Sequence, residues 1–184
     1  QKSAFDFEFF DIERIEVLRG PQGTLYGRNT MGGIINIETR SPMERRQTDL
    51  TLKAGNYQNY KTVISHHQPI TDNFGISVNG AYVNRNGFHT NQFTDSPADD
   101  ITSYSGRVRA VYEPTDNLKI DYSMNFEDSD QAGYPYAVFT DSTNTVGDVN
   151  YNRKSTYVRE MVSNNVTVRL EQDNSILKSV TSHQ

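Results

Sequence analysis

Residues 11–42 read DIERIEVLRGPQGTLYGRNTMGGIINIETRSP and decide the fold. Apolar and polar side chains alternate from Arg14 to Arg19 and again from Ile34 to Arg40, which is the period-two pattern of β-strands. The first strand is expected to end at Gly20–Pro21, because proline has no backbone N–H and disfavours the helical region for the residue before it. The stretch therefore predicts a strand, a turn and a second strand.

The predicted turn is rich in residues that allow the chain to change direction. Its members are Gly20, Pro21, Gly23, Gly27, Gly32 and Gly33. Their spacing is too close for a long helix, although Thr24–Tyr26 has room for a single helical turn. The two phosphate-loop patterns do not fit, since Leu25 and Gln22 stand where each would require glycine, and no helix of useful length is predicted after the loop.

This stretch resembles the C-terminal part of the plug domain of TonB-dependent outer-membrane receptors, in which ER(I/V)EVLRGPxGxLYGxxxxGGxINIxT(K/R)xP is typical. The resemblance covers about thirty residues without a gap. It implies a small mixed α/β plug that fills the lumen of a transmembrane antiparallel β-barrel of about 22 strands. It also implies uptake of a scarce nutrient, often a ferric siderophore, driven by the TonB energy-transducing complex.

Composition restricts the possible functions. The chain has 184 residues, no cysteine and a net charge of −5, and the negative excess lies entirely after residue 46. Disulfides, thiol catalysis and cysteine metal sites are therefore excluded, and the charge argues against a nucleic-acid surface. No apolar run approaches the roughly 18 residues of a membrane helix. Because Gln1 follows neither an initiator methionine nor a signal peptide, we interpret the chain as a fragment.

The residues after the motif change character. Segments with strand alternation begin near Leu50, and we place a domain boundary after Arg46, with the plug part at 1–46 and the barrel part at 47–184. We expect seven strands, with Pro69 and Pro114 ending two of them. The clearest strand alternates apolar residues from Leu118 to Phe126 with polar ones, and its length suits a tilted span of the bilayer.

The connections between these strands alternate in length. Short turns at 69–73, 114–117 and 172–175 alternate with long polar loops at 84–103 and 128–160. An up-and-down barrel has this order when one rim faces the periplasm and the other the cell exterior. By the same parity, the turn at Gly55 falls on the rim of the long loops. A soluble β-sandwich, with the apolar residues inside, remains an alternative for the strands alone.

Three charged residues of the motif are candidates for contacts between plug and barrel. In the resembled family the arginine of LRG takes part in such ionic contacts, so the resemblance implies this role for Arg19, and also for Arg14 and Glu16. A local or solvent-exposed charge is the commoner case. The first ten residues, rich in phenylalanine, are expected to be an extended lead-in.

The two long loops carry candidate ligand contacts. Aromatic side chains at an outer rim could stack on a ligand, and Phe88, Phe93, Tyr134 and Tyr136 are the candidates. They could equally be membrane-interface or loop-packing residues.

Other sites have weaker support. His66 and His67 are adjacent on a strand and point to opposite faces, so they do not form one metal site. We expect no resident metal, cofactor or catalytic centre. The sequence thus predicts a receptor in the bacterial outer membrane, with lipid, a small nutrient and the TonB complex as partners. A non-transporting barrel with a structural or adhesive role is the alternative.

Overall fold

A computed structural model describes residues 11–26, 30–140, 145–153 and 155–184. The described chain is built almost entirely of β-strands, and none of its helices is long and apolar enough to cross a membrane. It divides into two compact units, residues 1–41 and 42–184. The assignment of residues 1–46 and 47–184 as plug and barrel domains remains a prediction, since compactness alone does not identify a domain.

The first unit contains an antiparallel hairpin. Strand β1 (Ile12–Arg19) pairs with β2 (Gly33–Thr39), and the connection contains one helical turn, α1 (Gly23–Tyr26). This confirms the predicted order of strand, turn and strand. The predicted lead-in at 1–10 lies outside the described residues.

The second unit contains a seven-stranded sheet in which each long strand pairs with its neighbours along the chain. The remaining strands are β3 (Gln47–Gly55), β4 (Asn59–Thr71), β5 (Phe74–Arg85), β6 (Thr90–Asn91), β7 (Ser96–Pro97), β8 (Ile101–Thr115), β9 (Leu118–Ala132), β10 (Phe139–Thr140), β11 (Thr145–Val146), β12 (Thr156–Gln172) and β13 (Ser175–His183). The sheet order is β13-β12-β9-β8-β5-β4-β3, with every pair antiparallel. The predicted seven strands in meander order are therefore confirmed.

Two expectations about strand ends are wrong. Neither Pro69 nor Pro114 ends its strand, because β4 continues to Thr71 and β8 to Thr115. At both places the register shifts, between Pro69 and Thr71 and between Tyr112 and Thr115. A bulge accommodates a residue that cannot donate to the ladder, so a proline near a strand end does not have to terminate it.

The long loops are also shorter than predicted. Strand β9 contains 15 residues and β12 contains 17. Strand β9 therefore continues well beyond Phe126, where the predicted bilayer-spanning segment ends. The connections are therefore residues 86–100 and 133–155, and each contains a pair of two-residue strands. Polar residues such as Asp128 and Asp130 continue the ladder, because backbone pairing does not depend on side-chain polarity.

The two faces of the sheet differ in chemistry. One face, here called the apolar face, carries Ile76 and Val78 of β5, Val108 of β8, and Met124 and Phe126 of β9. Most of these side chains are exposed, with Val78 at 50% and Phe126 at 47%. In a soluble sandwich they would be covered by a second sheet. Among the described residues, the sheet leaves them uncovered.

The opposite face, here called the polar face, carries the buried polar side chains. They are Ser65, His67, Ser77, Asn79, Ser103, Ser105, Glu127 and Ser129. Two ion pairs connect neighbouring strands on this face. Arg109 donates to both carboxylate oxygens of Asp121, with Nη2 2.6 Å from Oδ2, and Arg159 pairs with Glu127. Burial of polar groups and exposure of apolar groups is the reverse of a water-soluble sheet.

The Arg109–Asp121 pair gives a test of this arrangement. In the folded protein, Asp121→Asn is expected to lower the free energy of unfolding by about 3 kcal/mol, because it removes the carboxylate that pairs with a largely buried guanidinium. Urea unfolding measures this change. Glu171→Gln is the matched control, because the Arg169–Glu171 pair is about half exposed and should contribute less than about 1 kcal/mol. Equal effects of the two substitutions would contradict the account.

Candidate functional site

The turn of the hairpin depends on glycine at two positions. Gly20 has φ +86° and Gly33 has φ +134°, in the range that side chains rarely adopt. A Cβ on Gly33 would lie 2.5 Å from the Leu18 carbonyl oxygen. Gln22 N–H donates to the Thr30 carbonyl at 3.1 Å and closes the turn. These contacts explain why the chain can reverse within so few residues.

The other residues of the predicted turn are less constrained. Pro21 follows directly after Gly20, and Gly23 opens the helical turn. A Cβ on Gly32 would meet no atom within 4 Å. Gly27 lies outside the described residues.

Two of the three predicted ionic residues come together on one side of the hairpin. Arg14 Nε donates to Glu16 Oε1 at 2.8 Å, and Arg14 Nη2 lies 2.8 Å from Glu38 Oε2 on the paired strand. Asn36 Nδ2 donates to Glu16 Oε2 at 3.1 Å. Four polar side chains of β1 and β2 therefore satisfy one another within the hairpin.

The network shifts the acid–base equilibria of its members. The hydrogen bond from Asn36, followed by that from Arg14, holds the pKa of Glu16 below its ordinary value. The hydrogen bond to Glu16 and the charge of Glu38 raise the pKa of Arg14. A lowered carboxyl pKa means that the network stabilises the hairpin above the pKa of the unfolded chain, and that this stabilisation is lost as pH falls through the folded pKa.

Arg19, the third predicted residue, is not brought together with the other two. Strand alternation places it on the same side as Ile15 and Val17, opposite the network. Its side chain is exposed and makes no hydrogen bond or ion pair within the described residues. Ile15 and Val17 are also exposed, at 55% and 62%. Ile35 of β2, the cross-strand partner of Val17, is 65% exposed on the same side, so this side of the hairpin presents exposed apolar side chains beside the Arg19 cation.

One candidate aromatic residue, Phe88, belongs to a compact cluster at the end of β5. Its ring centroid lies 4.9 Å from that of Tyr57 in an edge-to-face arrangement, and the Arg85 guanidinium carbon lies 4.5 Å from its ring centroid. Asn86 N–H donates to the Tyr57 carbonyl at 2.9 Å. The turn between β3 and β4 therefore lies beside the 86–100 loop, which confirms that this turn is at the rim of the long loops.

The loop holding Phe88 is fixed by Asp99. Its Oδ1 accepts hydrogen bonds from the Phe88 and His89 N–H groups at 2.8 and 2.9 Å, and its carbonyl accepts one from Arg85. Tyr57 has a positive φ of 61°, an uncommon conformation for a bulky residue. Strained residues of this kind persist where the surrounding contacts hold them.

The other candidate aromatic residues lie apart from Phe88. Tyr134 and Tyr136 contact each other at a centroid distance of 6.3 Å, and both are exposed. Phe93 is exposed as well. Among the described residues, no ring contact connects these three with Phe88. The four candidates therefore form one pair and two separate positions rather than a single cluster.

The two long loops are nevertheless joined to each other. Asn91 Nδ2 donates to the Tyr151 carbonyl at 2.9 Å, and Tyr151 N–H donates to Asn91 Oδ1 at 3.2 Å. Gln92 N–H donates to the Val149 carbonyl at 2.8 Å. Asn91 and Val149 are both buried. The rim is therefore a packed structure with exposed aromatic side chains.

Sequence reasoning missed three members of the rim. Tyr57 and Arg85 contact the Phe88 ring, and Asp99 holds the backbone of the loop. Asp99 accepts from N–H groups that lie 11 and 10 positions earlier in the chain, so no local sequence signal identifies it. Nothing local predicts that Tyr57 and Phe88, 31 positions apart, come into contact.

The histidines lie as predicted. His66 Nδ1 is 2.7 Å from the Thr48 hydroxyl on the apolar face, whereas His67 is buried on the polar face. In the described ranges, no three His, Cys, Asp or Glu side chains are grouped as a metal site would require.

The chain is similar to parts of several known proteins. The family model described as "TonB-dependent Receptor Plug Domain" matches residues 1–34. The chain is 36% identical over 61 residues to the metal-pseudopaline receptor CntO of Pseudomonas aeruginosa, which is 33% of this chain and 9% of that protein. It is 22% identical over 132 residues to the ferrioxamine receptor of Yersinia enterocolitica, 72% of this chain and 18% of that protein.

Solved structures share the fold. The ferric yersiniabactin uptake receptor FyuA from Yersinia pestis superposes with a TM-score of 0.82 at 22% identity, over 94% of this chain and 28% of that one. The FpvAI–pyocin S2 complex contains a chain with a TM-score of 0.76 at 18% identity, over 94% of this chain and 23% of that one. The chain therefore spans less than a third of the length of each protein that it matches here. These proteins are receptors rather than enzymes.

Proposed function

We propose that the chain belongs to the family of TonB-dependent outer-membrane receptors, and that it is the end of a plug and the first seven strands of a transmembrane β-barrel. The complete protein binds a metal chelate, such as a ferric siderophore, at the cell surface and imports it into the periplasm. The observation that carries this proposal is the reversal of the two faces of the sheet. Exposed apolar residues suit lipid, and buried polar residues suit the lumen of a plugged barrel.

The dimensions of the apolar face support a membrane span. Ring contacts between Phe74 and Tyr112 and between Tyr82 and Tyr104 lie eight residues apart along β5 and β8. Eight residues cover about 26 Å along a strand, or about 20 Å across the membrane at a tilt of about 40°. No charged side chain of β5 or β8 lies between them on this face. Aromatic pairs at both edges of an uncharged band are typical of outer-membrane barrels.

The rim is the proposed ligand site. Phe88 with Tyr57 and Arg85 offers two half-exposed rings and a cation, and Tyr134 with Tyr136 offers a second pair. Phe93 adds an exposed ring. Such groups can stack on aromatic or conjugated chelators and attract their negative charge.

Uptake measurements test the proposed function. Cells producing the full-length receptor are expected to accumulate ⁵⁵Fe from ferric ferrioxamine or ferric yersiniabactin, the ligands in the names of two similar receptors. Accumulation should be saturable and should disappear when the gene for TonB is deleted, because the outer membrane has no energy supply of its own. Specific ⁵⁵Fe accumulation that persists without TonB, or failure to bind either chelate at the surface, would contradict the proposal.

Arg19, Arg14 and Glu16 are proposed to contribute ionic contacts between the plug and the barrel wall. Arg14 and Glu16 already satisfy each other within the hairpin, so Arg19 is the strongest of the three. Its cation is exposed beside the exposed side chains of Ile15 and Val17, and it forms no ion pair with the part of the chain that the structure describes. Removing one member of an enclosed ion pair costs about 3 to 5 kcal/mol.

Arg19→Ala in the full-length receptor is therefore expected to loosen the plug. Cells carrying it should become more sensitive to a large hydrophilic antibiotic that the plugged barrel excludes, and their chelate uptake should change. Asp116→Ala, in the exposed short turn between β8 and β9 at the opposite end of the sheet from the rim, is the control and should leave both unchanged. Unchanged leakage and uptake in the Arg19→Ala cells would refute the ionic role.

A further inference from the structure

Pro42 is almost completely buried, with less than 2% of its surface exposed. The residues that soon follow it, Glu44–Arg46, are exposed. The division between the two compact units falls between Ser41 and Pro42, so Pro42 belongs to the unit that contains the seven-stranded sheet. Residues 42–46, here called the linker, therefore begin with a residue that is packed into that unit.

The contact that receives Pro42 is made by a glycine of β5. A Cβ on Gly75 would lie 2.8 Å from the Pro42 carbonyl oxygen, 3.0 Å from its carbonyl carbon and 2.9 Å from Met43 Sδ. The methionine side chain could move away, but the proline backbone could not without displacing the linker. Gly75 does not have a positive φ, so close approach of the linker, rather than backbone conformation, is the reason that position 75 requires glycine.

The neighbours of Gly75 reinforce this contact. Strand alternation places Gly75 on the polar face, and its cross-strand partners are Pro69 on β4 and Val111 on β8. Val111 has no exposed surface. Both register shifts of the sheet lie within a few residues of these three positions, at the end of the sheet where the short turns are. The linker thus rests on a small, largely apolar area of an otherwise polar face.

We propose that Gly75 and Pro42 form an anchor that fixes the linker to the inner wall of the barrel at its periplasmic end. When the residues before Pro42 are displaced, the displacement then stops at the Ser41–Pro42 bond. The pulling force therefore does not separate the first strand, β3, from the rest of the wall. Proline favours this role, because its fixed φ and its restriction of Ser41 make the junction stiff. Gly75 is a positioning residue in this mechanism. The importance of the anchor for transport rests on the proposed function.

The chain has no cysteine, so a single thiol can report on the anchor. In the full-length receptor in outer membranes, Met43→Cys is combined with Gly75→Ala, and the rate of modification by a water-soluble maleimide is measured. We expect labelling about tenfold faster than with Gly75 intact, because the linker is released more often. Gly80→Ala on the same strand is the matched control, since its Cβ would lie 3.7 Å from Ile64 Cγ2, an ordinary contact. It should leave the rate unchanged.

The outcomes separate the anchor from the transport function. Equal labelling rates with and without the Gly75→Ala substitution, in a receptor that retains its heat-modifiable folded form, would overturn the anchor. If Gly75→Ala prevents assembly, Pro42→Gly with an intact Gly75 takes its place, and the same acceleration is expected from loss of the buried ring. Labelling requires neither chelate nor TonB. A receptor without uptake can therefore still confirm the anchor, and active uptake with unaltered labelling refutes the anchor alone.

Discussion

Continuous antiparallel register across seven strands is the constraint on which the rest of the structure depends. Between β9 and β12, fifteen consecutive residue pairs follow one another without a shift, and the shifts that involve β4, β5, β8 and β9 lie at strand ends. Because side chains alternate with a period of two, a slip by one residue would move every apolar side chain to the opposite face. Uninterrupted register therefore keeps Val78, Val108 and Met124 on one side, and Asn79, Arg109 and Asp121 on the other.

Because the faces are separated in this way, the two sides of the sheet differ in the contacts that they make. Ion pairs and hydrogen bonds on the polar face, including Arg107 to Asn125 at 2.7 Å, join adjacent strands without an apolar core. The apolar face is left free for lipid in the proposed receptor. At one end the long strands carry a packed rim with exposed aromatic rings, and at the other the linker rests against Gly75. The same sheet thus supports the proposed ligand site and the proposed anchor.

Much of this organisation was predictable from local pattern. The hairpin of residues 12–39 follows from alternation, glycine and proline, and the seven strands follow from alternation between short and long connections. The strand ends predicted at Pro69 and Pro114 were wrong, because a bulge can accommodate proline without ending the ladder. The long loops were overestimated for a related reason. Side-chain polarity at Asp128 and Asp130 says little about whether the backbone remains paired.

Contacts between distant segments were not predictable. The Tyr57–Phe88 pair and the approach of Pro42 to Gly75 depend on how strands are placed next to one another, and the sequence around each residue contains no signal for its partner. The opposite holds for Arg14 and Glu16. They are two residues apart on one strand, so their common side follows from alternation, and the same rule places Arg19 on the other side.

The most direct test of the central claim is the orientation of β5 in a membrane. Nitroxide labels attached to single cysteines at Ile76, Ser77, Val78 and Asn79 of the protein in lipid vesicles report contact with oxygen, which concentrates in the bilayer. The account predicts high oxygen accessibility at positions 76 and 78 and low accessibility at 77 and 79. Equal accessibility at all four positions, or the reverse alternation, would contradict a wall whose apolar face meets lipid.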